Sequence, residues 1–461
     1  MSRQSRARWS GAAWPFGGLV LAVLGLVSCG SPAKPAPSIQ VGDRRELPAV
    51  SVAPADAGGS RSPSASPAPP AFPRAGAVGA LSEGERIADL TALAAGDRFL
   101  LAWVTYFDGG GPALRASSRG PAKKGATPGP QQQRGATVVV RALDAEGEAL
   151  GAANVISVKA DSIGGVSLAA GASAQGDAGL AWVGKDAGIG QVFVTRLSRS
   201  GEKQAQRMVT RSKEGCSDVA LVRHKDGFVV AYIDSRDGLP GVYTVKVGKD
   251  LQRIGNERLV AQVKGEASDV RMIARGEDLV VAWAEARRDP DLHGVFAARL
   301  LAADLAVRGD PARVVLGPQH ARGIELAAVG EGLALGWVED AGPGTGAATT
   351  SEKTAMLVGL DFALRAAGEP VRVALPAQAS SLALECDRSC RVVVAGSEGE
   401  NLAFYGFLFE RGAPQPAARL TAIAGVSTED ANPVVARDWL FFAEDNLRGS
   451  GRIRKAKLAW R

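Results

Sequence analysis

Acidic residues return at two fixed places in a stretch that this chain repeats. The clearest copies are residues 217–247 and 268–300, in which one acid follows an opening serine and another stands two residues after an aromatic side chain. The acids in these copies are Asp218, Asp234, Asp269 and Glu285. Two carboxyl groups about 5–10 Å apart can hydrolyse a glycosidic bond, so acids that meet on one face would permit glycan chemistry.

An arginine follows the second acid by two residues in both copies and adds a positive charge to the same turn. The candidates for a binding face are therefore Asp218, Asp234, Arg236, Asp269, Glu285, Arg287 and Glu339. Weaker copies place further acids at these two positions: Asp89, Glu325, Asp430 and Glu444. Two interpretations stay open, because the acids either form a ligand-binding ring or each cap a turn or pair with a neighbouring arginine. Catalysis requires one asymmetric pair, so the repetition favours the structural interpretation, and no catalytic residue is assigned.

The remaining residue types argue against several classes of site. The three histidines, His224, His293 and His320, fall in three different repeats, and we expect that they do not converge. Neither a zinc site nor a Ser-His-Asp triad is therefore predicted. The sequence also lacks Gly-x-Ser-x-Gly and phosphate-binding loops. The prediction is a chain without a metal site or a cofactor.

Short apolar runs rich in valine and alanine carry these residues, and turn residues interrupt the runs at short intervals. This pattern predicts antiparallel strands. In six of the seven units an aromatic residue ends the second strand. From the second unit onward these positions recur about every 50 residues. These markers are Trp103, Trp182, Tyr232, Trp283, Trp337, Ala395 and Phe442. Seven such units predict an all-β fold, a seven-bladed β-propeller of four-stranded antiparallel blades.

Two insertions occupy the same connection, between the second and third strands, in the first and fifth units. They are the basic segment 108–135 and the segment 342–351. The first fits either a contact arm for an anionic partner or a solvated insertion. Its lack of interleaved aromatic residues favours the solvated insertion and argues against a nucleic-acid partner. We predict that this insertion face is the binding face. Its acid–arginine pairs are expected to be exposed, each contributing about 0–1 kcal/mol to stability.

Residues 1–28 have the composition of an export signal, with arginines ahead of an apolar run that is too short for a membrane span. The run ends in Leu-Val-Ser-Cys29, which resembles the lipobox of bacterial lipoproteins and implies cleavage before Cys29 and acylation of that residue. A plain signal peptide with an incidental cysteine is the alternative. Gly30 stands where an aspartate would resemble an inner-membrane retention signal, so the predicted location is the outer membrane, on its periplasmic side or at the cell surface.

The rest of the chain divides into a tether and the repeats. Residues 29–70 are rich in Pro, Ala and Ser and predict a disordered tether, because they cannot bury enough apolar surface to fold. Residues 71–461 are assigned to the propeller. The last unit has sequence for three strands, so residues 71–81 are expected to supply its fourth strand and close the ring.

The cysteines fit an exported protein. Cys386 and Cys390 flank a short turn between paired strands and predict a disulfide in an oxidising compartment. Cys216 is interpreted as a small buried apolar residue. The formal net charge of +6 includes the arginines of the export signal, so it is weak evidence for a polyanionic partner.

The sharp copies resemble the W-x-D/E-x-R…G-x-Y/F repeats of secreted bacterial propellers. Residues 226–245, DGFVVAYIDSRDGLPGVYTV, are also similar to the repeats of the Tol-system periplasmic propeller and of oligopeptidase propellers. This resemblance implies the fold and says little about activity. No α/β-hydrolase segment follows the repeats, so peptidase activity is not expected. The aspartate-box pattern of sialidases is absent from the sequence.

These observations lead to one functional expectation with one alternative. The expectation is a monomeric, lipid-anchored propeller of the cell envelope that is not an enzyme and that binds an envelope protein or a polysaccharide. The alternative is a glycan-active enzyme, a hydrolase or a lyase, that uses carboxylates on the insertion face. Carboxyl groups gathered with aromatic platforms would favour the enzyme.

Overall fold

The computed structural model describes most of the chain beyond residue 72. The described residues are 73–106, 136–157, 163–170, 178–225, 227–236, 238–286, 293–317, 319–341, 353–399, 401–410, 412–424, 431–445 and 451–460. The export signal, Cys29, the tether, both insertions, Arg287 and Asp430 lie outside these ranges. The predictions that concern them stay predictions. Within the described ranges there is no helix that is long and apolar enough to cross a membrane.

The described chain is all β, and its strands form the seven four-stranded antiparallel blades that the repeat predicts. Blade one is formed by β2 (Gly79–Ala95), β3 (Arg98–Tyr106), β4 (Ala136–Leu143) and β5 (Asn154–Val155). Blade two is formed by β6 (Ile163–Ala170), β7 (Ala178–Asp186), β8 (Ile189–Leu197) and β9 (Lys203–Met208). Blade three is formed by β10 (Cys216–His224), β11 (Gly227–Arg236), β12 (Leu239–Val247) and β13 (Arg253–Gln262). Blade four is formed by β14 (Glu266–Arg275), β15 (Asp278–Ala286), β16 (His293–Leu301) and β17 (Ala312–Gly317).

The second half of the ring continues the same order. Blade five is formed by β18 (Gln319–Val329), β19 (Gly332–Ala341), β20 (Thr354–Asp361) and β21 (Val371–Arg372). Blade six is formed by β22 (Gln378–Cys386), β23 (Cys390–Glu398), β24 (Asn401–Glu410), β25 (Ala413–Pro414) and β26 (Ala418–Ala424). Blade seven contains β27 (Val434–Ala436), β28 (Trp439–Asp445) and β29 (Gly451–Ala459), and β1 (Arg74–Ala75) pairs with β29.

The ring closes by strand donation, as predicted. The long strand β2 pairs with β29 of blade seven over Gly79 to Glu85 and then with β3 of blade one from Arg86 onward. The donated segment extends beyond the predicted 71–81, because one continuous strand serves both blades. This pairing covers the backbone groups that an open ring would leave at a free edge.

The core lies between neighbouring blades rather than within one blade. Apolar side chains of blades three and four form one cluster, and those of blades four and five form the next. The marker residues Trp103, Tyr232, Trp283 and Trp337 are all fully buried in such seams. A fully buried apolar side chain contributes about 1.5–3 kcal/mol, so the seams hold the ring together.

Each innermost strand of blades one to six contains a β-bulge close to the marker residue of its partner strand. At four of these bulges the backbone is left-handed, with φ of 44° at Asp89, 63° at Gly165, 56° at Asp269 and 60° at Gly323. A bulge redirects the side chains around it. The acids at the starts of the inner strands therefore turn toward the next blade instead of alternating regularly.

Candidate functional site

The second-strand acid of blade three lies in a closed network that we call the motif turn, consisting of Asp234, Arg236 and Glu257. Asp234 is fully buried, and its carboxylate accepts hydrogen bonds from the Ser212 hydroxyl at 2.6 Å and from Arg236 Nε at 2.7 Å. Arg236 also pairs with Glu257 and lies 4.1 Å above the ring of Tyr243. The charges of the motif turn are thus satisfied within blade three and its contact with blade two.

The expectation that these acid–arginine pairs are exposed is wrong for their acids, whereas Arg236 is about a third exposed and Arg287 lies outside the described residues. Asp234 is 0% exposed and Glu285 is 5% exposed, because the connection from each blade's outer strand to the next blade covers them. Ser212 lies on that connection in blade two, and Lys264 in blade three donates its backbone N–H to Glu285 Oε1 at 3.2 Å. The structural interpretation of Asp234, pairing with an arginine, is confirmed.

The equivalent acids in other blades have different partners. In blade five the indole Nε1 of Trp337 donates to Glu339 Oε1 at 3.0 Å, and burial raises the pKa of Glu339 while this hydrogen bond opposes the rise. In blade seven Glu444 pairs with Arg454. One sequence position therefore serves different local purposes around the ring.

Two acids at the starts of inner strands connect neighbouring blades. Asp89 of blade one accepts the backbone N–H of Gly165 in blade two at 2.9 Å. Asp218 of blade three accepts the N–H of Val270 in blade four at 2.9 Å and that of Val219 in its own strand at 2.8 Å. These carboxylates are caps between blades, which the structural interpretation of the repeat allows.

Blades three, four and five bring a set of charged residues together that we call the inner-strand network, consisting of Asp218, Asp269, Arg271 and Glu325. Arg271 of blade four donates from Nε at 3.2 Å and from Nη2 at 3.1 Å to Glu325 Oε1 of blade five. Asp269 is 7% exposed and accepts a hydrogen bond from the Ser268 hydroxyl at 2.9 Å. The side chains of Arg271 and Glu325 remain 35% and 29% exposed, so solvent reaches this pair.

The surroundings of the network alter its proton affinities. Burial raises the pKa of Asp218 to about 6, Arg271 opposes this rise, and the charge of Asp269 adds to it. Burial also raises the pKa of Glu325, again opposed by Arg271 and assisted by Asp269. The network therefore contains two carboxyl groups that keep a proton to higher pH than usual, and Asp269 lies within electrostatic reach of both.

Sequence reasoning included Asp218, Asp269 and Glu325 among the candidates but missed Arg271. The signal was present, because Arg271 brings a positive charge to a position where the blade-three copy has Ala220 and the blade-five copy has Glu325. Arg271 follows Val270, which packs toward blade three, and so faces blade five, as Ala220 faces blade four. Sequence alone does not show that Glu325 lies across this seam.

The aromatic platforms that would accompany a glycan site are not provided by the marker residues. Trp103, Tyr232, Trp283 and Trp337 are all 2% exposed or less and pack between blades. Blade six has lost its marker aromatic and instead carries a disulfide between Cys386 and Cys390 at its first hairpin. Cys216 is buried, and burial together with the charge of Asp234 raises the pKa of its thiol to about 12.

The histidines correct one prediction. His293 opens β16 in blade four, His320 lies at the start of β18 in blade five, and their ring centroids are 3.7 Å apart. The expectation that the histidines do not converge is wrong for this pair, because β16 and β18 are neighbours across the seam. His224 ends β10 at the opposite end of blade three. Among the described residues, no group of three or more His, Cys, Asp or Glu side chains is arranged to hold a metal ion.

Comparison with known proteins places the chain among β-propellers. No family model matches the sequence, and no curated protein matches it. The GH93 α-L-arabinofuranosidase of Fusarium graminearum, solved with arabinobiose, is similar at 9% identity and a TM-score of 0.41, over 64% of this chain and 92% of that one. The polysaccharide lyase Uly1 is similar at 10% identity and a TM-score of 0.47, over 80% of this chain and 89% of that one. The endo-arabinase of Bacteroides thetaiotaomicron is similar at 10% identity and a TM-score of 0.34, over 51% and 89%.

The functional expectation is corrected by this comparison. We predicted a binding or scaffolding module without enzymatic activity, whereas the similar solved propellers include two arabinan-type glycosidases and a polysaccharide lyase. The prediction that the chain is not an enzyme is withdrawn. At these identities and TM-scores the likeness carries no argument about activity, and any case for one rests on the side chains of this chain.

Proposed function

We propose that this propeller is a glycan-active enzyme that cleaves glycosidic linkages at the inner-strand network. The observation that supports the proposal most is the contact between Arg271 and Glu325 across two inner strands, with Asp269 in electrostatic reach and with solvent access to the pair. The arrangement is asymmetric, because blade four alone supplies the arginine to the network. It therefore meets the requirement for one distinct carboxyl pair, which the repeated motif did not.

Glu325 is suited to the role of general acid. Burial raises its pKa, so it retains a proton that it can transfer to the oxygen of a glycosidic bond. Arg271 contacts one oxygen, Oε1, through two nitrogen atoms and so fixes the orientation of the carboxyl group. Arg271 is a positioning residue in this proposal.

Asp269 is the second carboxyl group of the proposed pair. The Ser268 hydroxyl holds one of its oxygens, and the left-handed backbone at φ 56° directs the side chain from the bulge toward the network. A carboxylate beside a general acid activates water or attacks the sugar directly in glycoside hydrolysis. In a lyase the same group would remove a proton from the sugar ring instead.

The experiment uses the full chain with arabinan and with uronate-containing polysaccharides. Hydrolysis is followed by the release of reducing ends, and elimination by the ultraviolet absorbance of the unsaturated product. In Glu325→Gln the amide keeps an oxygen for Arg271 but has no acidic proton, so turnover should fall about 100-fold or more.

Blade six offers a closely matched control. Glu385 and Arg391 form a pair at 3.5 Å with side-chain exposures of 29% and 35%, and burial raises the pKa of Glu385 too. Glu385 lies at the other end of its inner strand, away from the insertion face. Glu385→Gln should therefore retain wild-type turnover. If Glu325→Gln is as active as Glu385→Gln on every cleaved glycan, the site assignment is wrong, and if wild type cleaves none of them, the proposed function is wrong.

A further inference from the structure

Two imidazole rings meet across the seam between blades four and five, where proton uptake can alter the packing. His293 is 4% exposed, His320 is half-buried, and their rings lie 3.7 Å apart between centroids at an interplanar angle of 34°. Rings at this distance are in van der Waals contact, so the pair fills the seam as an aromatic contact while both rings are neutral. Because the two rings belong to different blades, their contact depends on how closely blades four and five pack.

We infer that His293 and His320 form a proton-operated latch between blades four and five on the insertion face. The latch is closed when at most one ring is charged, and it loosens when both rings carry a proton. Histidine is the side chain whose charge ordinarily changes between about pH 5 and 8. The inference is independent of the proposed glycan chemistry, because it concerns the stability of one seam.

Among the described residues, the charged groups nearest the pair lie on β18 and β19. Asp340 on β19 stands opposite His320, whereas Glu285 on β15 stands opposite Gly294 and faces blade three, away from His293. Arg322 on β18 pairs with Asp340 at 3.2 Å, and Glu339 on β19 accepts the indole N–H of Trp337. On β17 the residue opposite His293 is Gly317, which carries no charge.

These neighbours can offset one positive charge on the pair but not two. Glu339 and Asp340 are the acids on the facing strand, and Asp340 is already engaged by Arg322. A second proton places two like charges within one ring contact, and such charges repel strongly where water is excluded. A second positive charge on the pair therefore strains the seam.

The response should be confined to one seam of the ring. The chain has three histidines, and the third, His224, ends the inner strand of blade three at the opposite face. His224 is therefore a natural control for the loss of a histidine without the loss of the pair.

The test compares the full-length wild type with His320→Gln and His224→Gln. The melting temperature of each is measured at pH 8 and at pH 5, and the histidine ring resonances are followed by NMR over the same range. Wild type should lose several degrees more on acidification than His320→Gln, in which the pair cannot become doubly charged. Burial lowers the pKa of His224, so His224→Gln measures the part of the loss that one half-buried histidine contributes without the pair. The His293 resonance should titrate differently once His320 is replaced.

Two results would overturn the latch. One is an equal loss of melting temperature on acidification in wild type and His320→Gln. The other is a His293 titration that His320→Gln leaves unchanged, which shows that the rings are not coupled. The NMR measurement decides the question even where the substitution lowers overall stability.

Discussion

The motif turn and the inner-strand network each contain a carboxylate–arginine pair, in neighbouring blades of one ring. In the motif turn, Asp234 is fully buried and its partner Arg236 is shared with Glu257 and stacked over Tyr243. In the inner-strand network, Glu325 and Arg271 are both partly exposed, and the carboxyl pKa is raised. The hydrogen-bonding groups of the Asp234–Arg236 pair are already engaged by other groups of the protein. The second pair is partly open to solvent, and its carboxyl group keeps a proton to higher pH than usual.

The difference shows that the most conspicuous part of the repeat is structural. In blades three and four the acid of the motif fastens its second strand to the connection that enters the same blade. Arg271 and Glu325 occupy the same position of their copies, where the blade-three copy has Ala220, and these two departures create the unusual pair. In a repeat protein a site is therefore better sought where one copy differs from the others than where the copies agree.

The largest expected effect comes from breaking the motif turn. Arg236→Ala leaves the Asp234 charge buried beside the Ser212 hydroxyl. The free energy of unfolding should fall by about 3 kcal/mol, at the low end for buried pairs because a third of the arginine is exposed. Urea unfolding measures the loss, and turnover at the inner-strand network should be unchanged under conditions where the variant is folded.

An exposed pair provides the control for that prediction. Arg365 and Asp361 are 80% and 42% exposed, so Arg365→Ala should cost about 0–1 kcal/mol. If Arg236→Ala also costs only about 0–1 kcal/mol, the motif turn contributes no more than an exposed ion pair.

The inner-strand network should make stability depend on pH in the opposite sense to an ordinary ion pair. The pKa of Asp218 in the folded chain, about 6, lies above the ordinary carboxyl value of 3.8. Its stabilising contribution is therefore present below about pH 4 and is lost as pH rises through about 6. Asp218→Asn keeps an oxygen for the Val270 N–H and removes this titration. The loss of unfolding free energy between pH 5 and pH 8 should shrink by up to about 2 kcal/mol.

The matched control is Asp361→Asn. Hydrogen bonds from the backbone N–H and the side chain of Arg365 lower the pKa of Asp361, so its contribution is lost only as pH falls below the ordinary carboxyl range. This variant should leave the difference between pH 5 and pH 8 as in wild type. If Asp218→Asn also keeps the wild-type difference between pH 5 and pH 8, Asp218 does not contribute to the pH dependence of stability.

The smallest effect concerns the marker tryptophans that separate the two regions. In blade two, Trp182 Nε1 donates to Thr195 Oγ1 at 3.3 Å, whereas Trp283 Nε1 in blade four is buried without a hydrogen-bond partner among the described residues. Strand register places Ala298 in blade four where blade two has Thr195. Ala298→Ser should supply the acceptor and raise the free energy of unfolding by about 1 kcal/mol.

Thermal or urea unfolding of Ala298→Ser beside Thr195→Val tests this in both directions. The valine variant should lose about 1 kcal/mol, because it leaves the Trp182 indole in the state that Trp283 already occupies. If Ala298→Ser lowers the free energy of unfolding, the seam between blades three and four has no room for the hydroxyl. The missing acceptor for Trp283 is then not what limits the stability of blade four.

By itself the sequence determined the propeller, because the fold follows from local information repeated seven times. Alternating apolar runs, turn residues and a marker aromatic in most units specify strands and blades without reference to distant residues. Strand donation also followed, since the last unit lacks a strand and an uncovered edge is costly.

Tertiary structure alone decided which charges are buried, which are open and which meet. Asp234 and Glu285 are covered by connections from neighbouring blades, and Arg271 meets Glu325 only because the inner strands of blades four and five are neighbours. His293 and His320 are neighbours only because β16 and β18 face each other across a seam. Each of these contacts joins residues from different blades, and the spacing within one repeat contains no information about the seam between two.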